Sequence, residues 1–182
     1  MKNVILVILI VFNGMLMQAQ KFTRASENKC FIYFVRPSFV GSAINFKFFD
    51  GEKIIGKFNG KKYMTYECDP GEHLFWWGSD VGAYLNANIQ AGKTYIVIAN
   101  PGDKRKIYSI DHSDKKQIKD VWKIVGKKAP VIFNQEELEE LQYENNYFIA
   151  KQLERYKEKT TEGKEFQELS QGMEMPSLYL TN

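Results

Sequence analysis

CFIYFVRPSFVGSAINFKFFDGEKIIGKFNGKKYMTYECDPGEHLFWWG, residues 30 to 78, is a run of short apolar, aromatic-rich segments broken at Asp50-Gly51, Asn59-Gly60 and Pro70-Gly71. The same cadence continues to Asn100. Runs of four to eight residues rich in Ile, Val, Phe and Tyr and bounded by such dipeptides read as strands joined by hairpins. The expected fold is mainly β with C-terminal helices: an antiparallel, sandwich-like β-domain followed by a short and a long α-helix.

The spacing predicts strands over residues 30–36, 43–49, 53–58, 61–68, 72–77, 83–90, 94–99 and 105–111. Asn59-Gly60 is the strongest hairpin signal, because a type I′ turn needs positive φ at both central residues. Ile44, Phe46 and Phe48 alternate with Asn45 and Lys47, which predicts one dry and one wet face. Tyr95 to Ala99 does not alternate, as expected of a central strand covered on both sides.

Beyond the strands the period changes. Ile118, Val121, Trp122 and Val125 form one helical stripe, predicting a helix from Asp114 to just before Gly126. Asn134 and Glu137 are spaced as a capping box, with Phe133 and Leu138 as a hydrophobic staple. The helix they start should run to about Lys159, its acidic residues early and its basic residues late, as the macrodipole favours. Leu138, Leu141, Phe148, Ile149, Leu153 and Tyr156 share one face, interrupted by Asn145 and Gln152. Tyr143 and Tyr147 extend the apolar surface past its edge. Packing on the sheet is the first expectation for this helix, and a partner-binding or oligomerising face the second. Residues after Gly163 read as a polar, loosely held tail.

Residues 1–19 combine Lys2, an apolar run from Val4 to Phe12, and a close at Ala19, the pattern of a secretory signal. The run is too short to span a bilayer, and Gln20 stands where a lipoprotein would need Cys. The expected product is exported, periplasmic or secreted, not a lipoprotein and without a membrane span after cleavage. Its divisions would be a β-domain over 20–112 and a helical extension with a flexible tail over 113–182. Roughly 160 residues suffice for one domain with a real core, and 13 Phe, 10 Tyr and 3 Trp make that core aromatic. A formal charge of only +3, in scattered pairs such as Lys115-Lys116 and Lys127-Lys128, argues against nucleic acid.

Little chemistry is written in the chain. Cys30 and Cys68 are a candidate disulfide in an oxidising compartment, or else two buried free thiols. Cys68 and His73 flank the Pro70-Gly71 turn, which brings them within reach as a thiol or hydrolase pair, although a polar His on a hairpin explains the spacing equally well. Metal-ligand spacings, phosphate-cradling glycines and a nucleophile elbow are missing, so no cofactor and no metal are expected. Trp76, Trp77 and Tyr84 form a candidate binding surface, since adjacent strand residues point to opposite faces and a one-sided sheet would leave one Trp exposed. A sheet covered on both sides would bury both.

Tyr33-Phe34-Val35-Arg36-Pro37, Phe49-Asp50-Gly51 with Ile55-Gly56, Asp69-Pro70-Gly71-Glu72-His73 and Ala91-Gly92-Lys93-Thr94-Tyr95 resemble an exported bacterial domain family of unknown function, the one numbered 2846. The resemblance spans about residues 28–112. It implies a sandwich-like β-domain of the bacterial envelope and supplies no catalytic residues; the C-terminal helices lie outside it. The expectation is a noncatalytic binding or interaction module with a protein or cell-envelope partner. The alternatives are carbohydrate binding through exposed aromatics or a small thiol or hydrolase enzyme using Cys68 and His73.

Overall fold

A computed structural model describes residues 22–102 and 105–181. The signal segment expected over residues 1–19 lies outside the described residues. In chain order the elements are β1 (Phe22–Thr23), β2 (Cys30–Arg36), β3 (Phe46–Asp50), β4 (Lys53–Phe58), β5 (Lys62–Cys68), β6 (Gly71–Gly78), β7 (Ala83–Ile89), β8 (Thr94–Asn100) and β9 (Lys106–Ser109). They continue with α1 (Lys115–Val125), α2 (Gln135–Thr161), β10 (Gln167–Leu169), a single 3₁₀ turn and β11 (Leu180–Thr181).

Two sheets stack face to face, one ordered β5-β2-β8-β9 and the other β10-β7-β6-β3-β4, while β1 and β11 make a small separate pair. Ile32, Phe34 and Val97 from the first meet Phe46, Phe48, Phe75 and Trp77 from the second in an aromatic core. Each outer face is covered by one helix. On the four-stranded sheet, Tyr33, Val35, Ile96 and Ile98 pack beneath Val121, Ile124 and Val125 of α1 and beside Phe22 and Leu180 from the chain's two ends. On the five-stranded sheet, Phe49, Ile54, Trp76 and Tyr84 pack beneath Leu141 and Ile149 of α2. The layers therefore run α1, four strands, five strands, α2. Among the described residues, no helix is long and apolar enough to cross a membrane.

The expected mainly-β fold with two helices is present, but its sheets are mixed. β2 pairs in parallel with β8 and β7 in parallel with β10. Parallel neighbours need a crossover connection, and that reassigns two of the expected hairpins. Asn59-Gly60 joins β4 of one sheet to β5 of the other, and Pro70-Gly71 carries β5 back across to β6. Gly60 has φ +63°, whereas no described non-glycine residue has positive φ, so Asn59 lacks the conformation that a type I′ turn requires. Asp50-Gly51 does close a hairpin, between β3 and β4. β8, the non-alternating strand, lies between β2 and β9 with Thr94 to Ala99 buried, as its composition predicts.

The wet face expected of the strand at Phe46 is also corrected. The helix α2 covers that face; the register shift between Phe48 and Phe49 places its extra residue, Ile55, on β4 and leaves the alternation of β3 intact. Phe46 and Phe48 enter the inter-sheet core, while Phe49 points outward under α2. Gly56 lies opposite Phe48 at this bulge with φ +155°, and an added Cβ would stand 2.8 Å from both Met64 Sδ and Phe133 Cε2. Ile44 belongs to the preceding loop and is exposed.

Both helices start where their caps predict. Asp114 accepts from the backbone N–H groups of Lys116 and Gln117, and Asn134 and Glu137 form the reciprocal capping box. The two residues that interrupt the apolar stripe of α2 are buried in its middle, and one of them acts as a clamp. Gln152 accepts from Gly82 N at 2.9 Å and donates to Asp80 O at 3.1 Å, which ties α2 to the β6–β7 loop. Asn145 donates back to Leu141 O at 2.6 Å. Residues 164–181, expected as a loose tail, return to the β-domain: β10 extends the five-stranded sheet, β11 pairs with β1, and Leu169, Met175 and Leu180 are buried. The C-terminal segment thus adds an edge strand to one sheet and, through Met175 and Leu180, joins the layer that covers the other.

Candidate functional site

The alternation along β6 places Trp76 and Trp77 on opposite faces, and both faces are covered. Trp77 packs 4.5 Å from Phe46 within the core and donates its indole N–H to Lys106 O of the facing sheet at 3.2 Å. Trp76 lies flat on Phe49, centroids 3.7 Å apart, and donates to Gly51 O at 2.8 Å. Neither has accessible surface. Tyr84 is also buried, its hydroxyl held by Gln152 O at 2.8 Å, and burial pushes its pKa up to about 12. The aromatic surface expected at Trp76, Trp77 and Tyr84 is therefore interior packing. Two buried sheet faces require both indoles, and each indole N–H finds an acceptor as burial demands. Tyr143 and Tyr147 do face outward on α2, 84% and 80% exposed.

The second expected cluster assembles at the end of the sandwich that carries the β3–β4 and β5–β6 connections. Cys30 and Cys68 are register partners across β2 and β5, yet they are free thiols. Cys30 Sγ donates to Gln90 O at 3.0 Å. Burial pushes the Cys30 thiol up to about 11 and the Cys68 thiol to about 12, so neither offers a thiolate near neutral pH.

His73 stands on β6 between two acceptors. Its Nδ1 is 2.8 Å from Asp50 Oδ2, and its Nε2 is 2.9 Å from Asp69 O. A carboxylate and a carbonyl can only accept, so both ring nitrogens must donate, and that is the imidazolium form. The hydrogen bond to Asp50 is the main influence raising the His73 pKa; burial opposes it, and the Asp50 charge and the Asp69 carbonyl add to the rise. Tyr66 Oη donates to the same carboxylate at 3.0 Å. With both nitrogens engaged, His73 has no lone pair for abstracting a proton from Cys68. The Asp50–His73–Tyr66 group works as a polar clamp on the β3–β4 and β5–β6 connections. Among the described residues, no group of three or more His, Cys, Asp or Glu side chains could hold a metal ion.

An open groove of about 630 Å³ runs beside His73 along β6, β7 and β10, lined in part by Glu72, Asn86, Asn88, Tyr156 and Glu168. Its polar groups are partly consumed internally, since Tyr156 Oη donates to Asn86 Oδ1 at 2.7 Å.

The opposite end carries a feature that the sequence reading missed. The loops between β2 and β3 and between β6 and β7 are neighbours, because Lys47 at the start of β3 pairs with Gly78 at the end of β6. Phe39 (67% exposed), Val40, Ile44 and Val81 project from these two loops. Beneath the first loop, Arg36 is fully buried, and its guanidinium donates to Val40 O at 2.6 Å and Gly41 O at 2.7 Å while stacking 4.6 Å above the Phe46 ring. Arg105 bonds Asp80 at 2.5 Å and Val81 O at 2.9 Å, fixing the second loop. In the sequence, Ile44 reads as a strand residue and Arg36-Pro37 as a strand end, so no periodicity marks the loop.

No family model, no curated protein and no solved structure matches the chain.

Proposed function

We propose that this chain is a noncatalytic binding module of the bacterial cell envelope and that its contact surface is the loop end bearing Phe39, Val40, Ile44 and Val81. The observation that carries this reading is the combination of exposed apolar tips with a buried anchor: Arg36 holds the loop from below, so the tips stay outside the core. A loop fixed in this way loses little conformational freedom on contact. Clustered exposed apolar side chains on a protein with ample core are a mark of interaction surfaces.

The groups that a thiol or hydrolase enzyme would use support the noncatalytic reading. Cys68 is a buried thiol with a raised pKa, and both nitrogens of His73 are occupied. The envelope assignment is supported by the signal-like residues 1–19 and by the resemblance to family 2846.

Fractionation of cells producing the full chain tests the reading. The protein should sediment with the envelope, and Phe39→Asp combined with Ile44→Asp should release it to the soluble fraction with an unchanged circular dichroism spectrum. If the substitutions leave its partitioning as it was, the loop end is not the contact surface.

A further inference from the structure

We propose that the occupant of the loop end is an anionic lipid surface, an inference that rests on the binding-module reading above. The chemistry beside the apolar tips argues for it. Lys61 Nζ lies 4.3 Å from the Phe39 ring centroid, and Lys128 Nζ bonds the Lys61 carbonyl. Lys62 is exposed on the same turn, bonded to Asn59 Oδ1 at 3.2 Å, and Lys116 lines one depression together with Phe39 and Lys61. Lys61 and Lys116 thus flank Phe39, with Lys62 and Lys128 on the adjoining turn.

Two acidic groups, Asp114 and Asp120, line the same depression as Phe39, Lys61 and Lys116. Asp114 caps α1, Asp120 lies 3.9 Å from Lys116, and Asp80 bonds Arg105. Lys61, Lys62 and Lys128 remain without carboxylate partners among the ion pairs of the described residues. With Asp120 matched by Lys116, these three lysines leave an excess of positive charge beside Phe39.

Exposed apolar tips with lysines beside Phe39 match the interface of a bilayer, where rings enter the acyl boundary and ammonium groups remain among the headgroups. A protein partner would need a matching surface of about 800 Å² on each side. A membrane needs no complementary shape, only insertion depth and negative charge, and both loops are braced from behind to supply the first. Each lysine near such a surface contributes about fivefold in affinity at low salt, and burying a phenylalanine contributes about tenfold or more.

Co-sedimentation of the purified chain with vesicles tests the proposal, using equal parts phosphatidylglycerol and phosphatidylcholine against phosphatidylcholine alone. Binding should be more than about tenfold stronger to the anionic vesicles and should weaken as salt rises. Phe39→Asp with Val40→Asp, and separately Lys61→Glu with Lys62→Glu, should each reduce it by more than about tenfold. Tyr143→Asp with Tyr147→Asp, on the exposed side of α2, should leave it unchanged. Equal binding to neutral vesicles, or binding insensitive to the loop substitutions, overturns the proposal. If vesicles are not bound while envelope sedimentation still depends on Phe39 and Ile44, the lipid assignment falls and the binding-module reading stands. Loss of both removes both.

Discussion

Trp76 decides whether α2 is part of the body or an appendage. Its indole stacks beside Phe49 beneath the helix, 5.9 Å from the Phe148 ring and 6.0 Å from Tyr84, with its N–H bonded to Gly51 O. Replacement by Ala removes the largest side chain from that layer and leaves a cavity that a helix pinned at Gln142 and Gln152 cannot readily close. Gln142 accepts from Ile54 N at 2.8 Å, and Gln152 clamps the β6–β7 loop. A buried Trp→Ala change of this kind costs about 3–5 kcal/mol, a large part of the roughly 5–15 kcal/mol that holds a domain folded. Trp76→Phe keeps an aromatic ring against Phe49 but loses the bond to Gly51 O, and should cost about 1–3 kcal/mol. Urea unfolding followed by far-UV circular dichroism reads both values, with the slope showing whether the transition stays two-state. A cost below about 1 kcal/mol for Trp76→Ala would mean that α2 does not cover this face in solution, and the four-layer architecture would be wrong.

Deletion of residues 131–182 should yield insoluble or aggregating protein rather than a folded monomer, because it uncovers Phe49, Ile54, Trp76 and Tyr84 together; size-exclusion chromatography with light scattering is the check, and a soluble monomer would sink the packing argument. Both thiols should resist alkylation at pH 8 in the native state and react in denaturant, as burial and raised pKa values dictate; fast native modification of Cys68, counted by mass spectrometry, would reopen the thiol-enzyme reading. His73 should make stability depend on pH. Its folded pKa is raised by Asp50, so its contribution is full below the unfolded value of about 6.5 and is lost as pH rises through the higher folded value. The stability advantage of the wild type over His73→Phe should therefore be larger at pH 6 than at pH 9, and a gap that does not change with pH would contradict the imidazolium clamp.

Local signals in this chain were legible where the physics is local. The caps at Asp114 and Asn134 are side-chain-to-backbone contacts within three residues, and both helices begin where they say. β8 announces its central place by lacking a polar face, since a strand covered on both sides cannot afford one. The wrongly expected surface at Trp76, Trp77 and Tyr84 has the converse cause. Alternation shows that the indoles diverge, but whether each face is dry depends on α2, a helix some sixty residues downstream.

The turn dipeptides of the β-domain show the same division. Gly at positive φ marks where the chain reverses or bends, and Gly51 and Gly60 both do so. A reversal does not say which sheet the next strand joins. At Asp50-Gly51 the strands pair, and at Asn59-Gly60 and Pro70-Gly71 they part into opposite sheets. The strands, the helix starts and the aromatic character of the core are legible in the residues alone, because propensity, capping and hydrophobic period act over a few residues. Sheet membership, the burial of the tryptophans, the double engagement of His73 and the exposure of Phe39 above Arg36 emerge from the packed chain. Each of those depends on groups brought together from distant parts of the chain, and a pattern in one stretch carries no record of what will lie across from it.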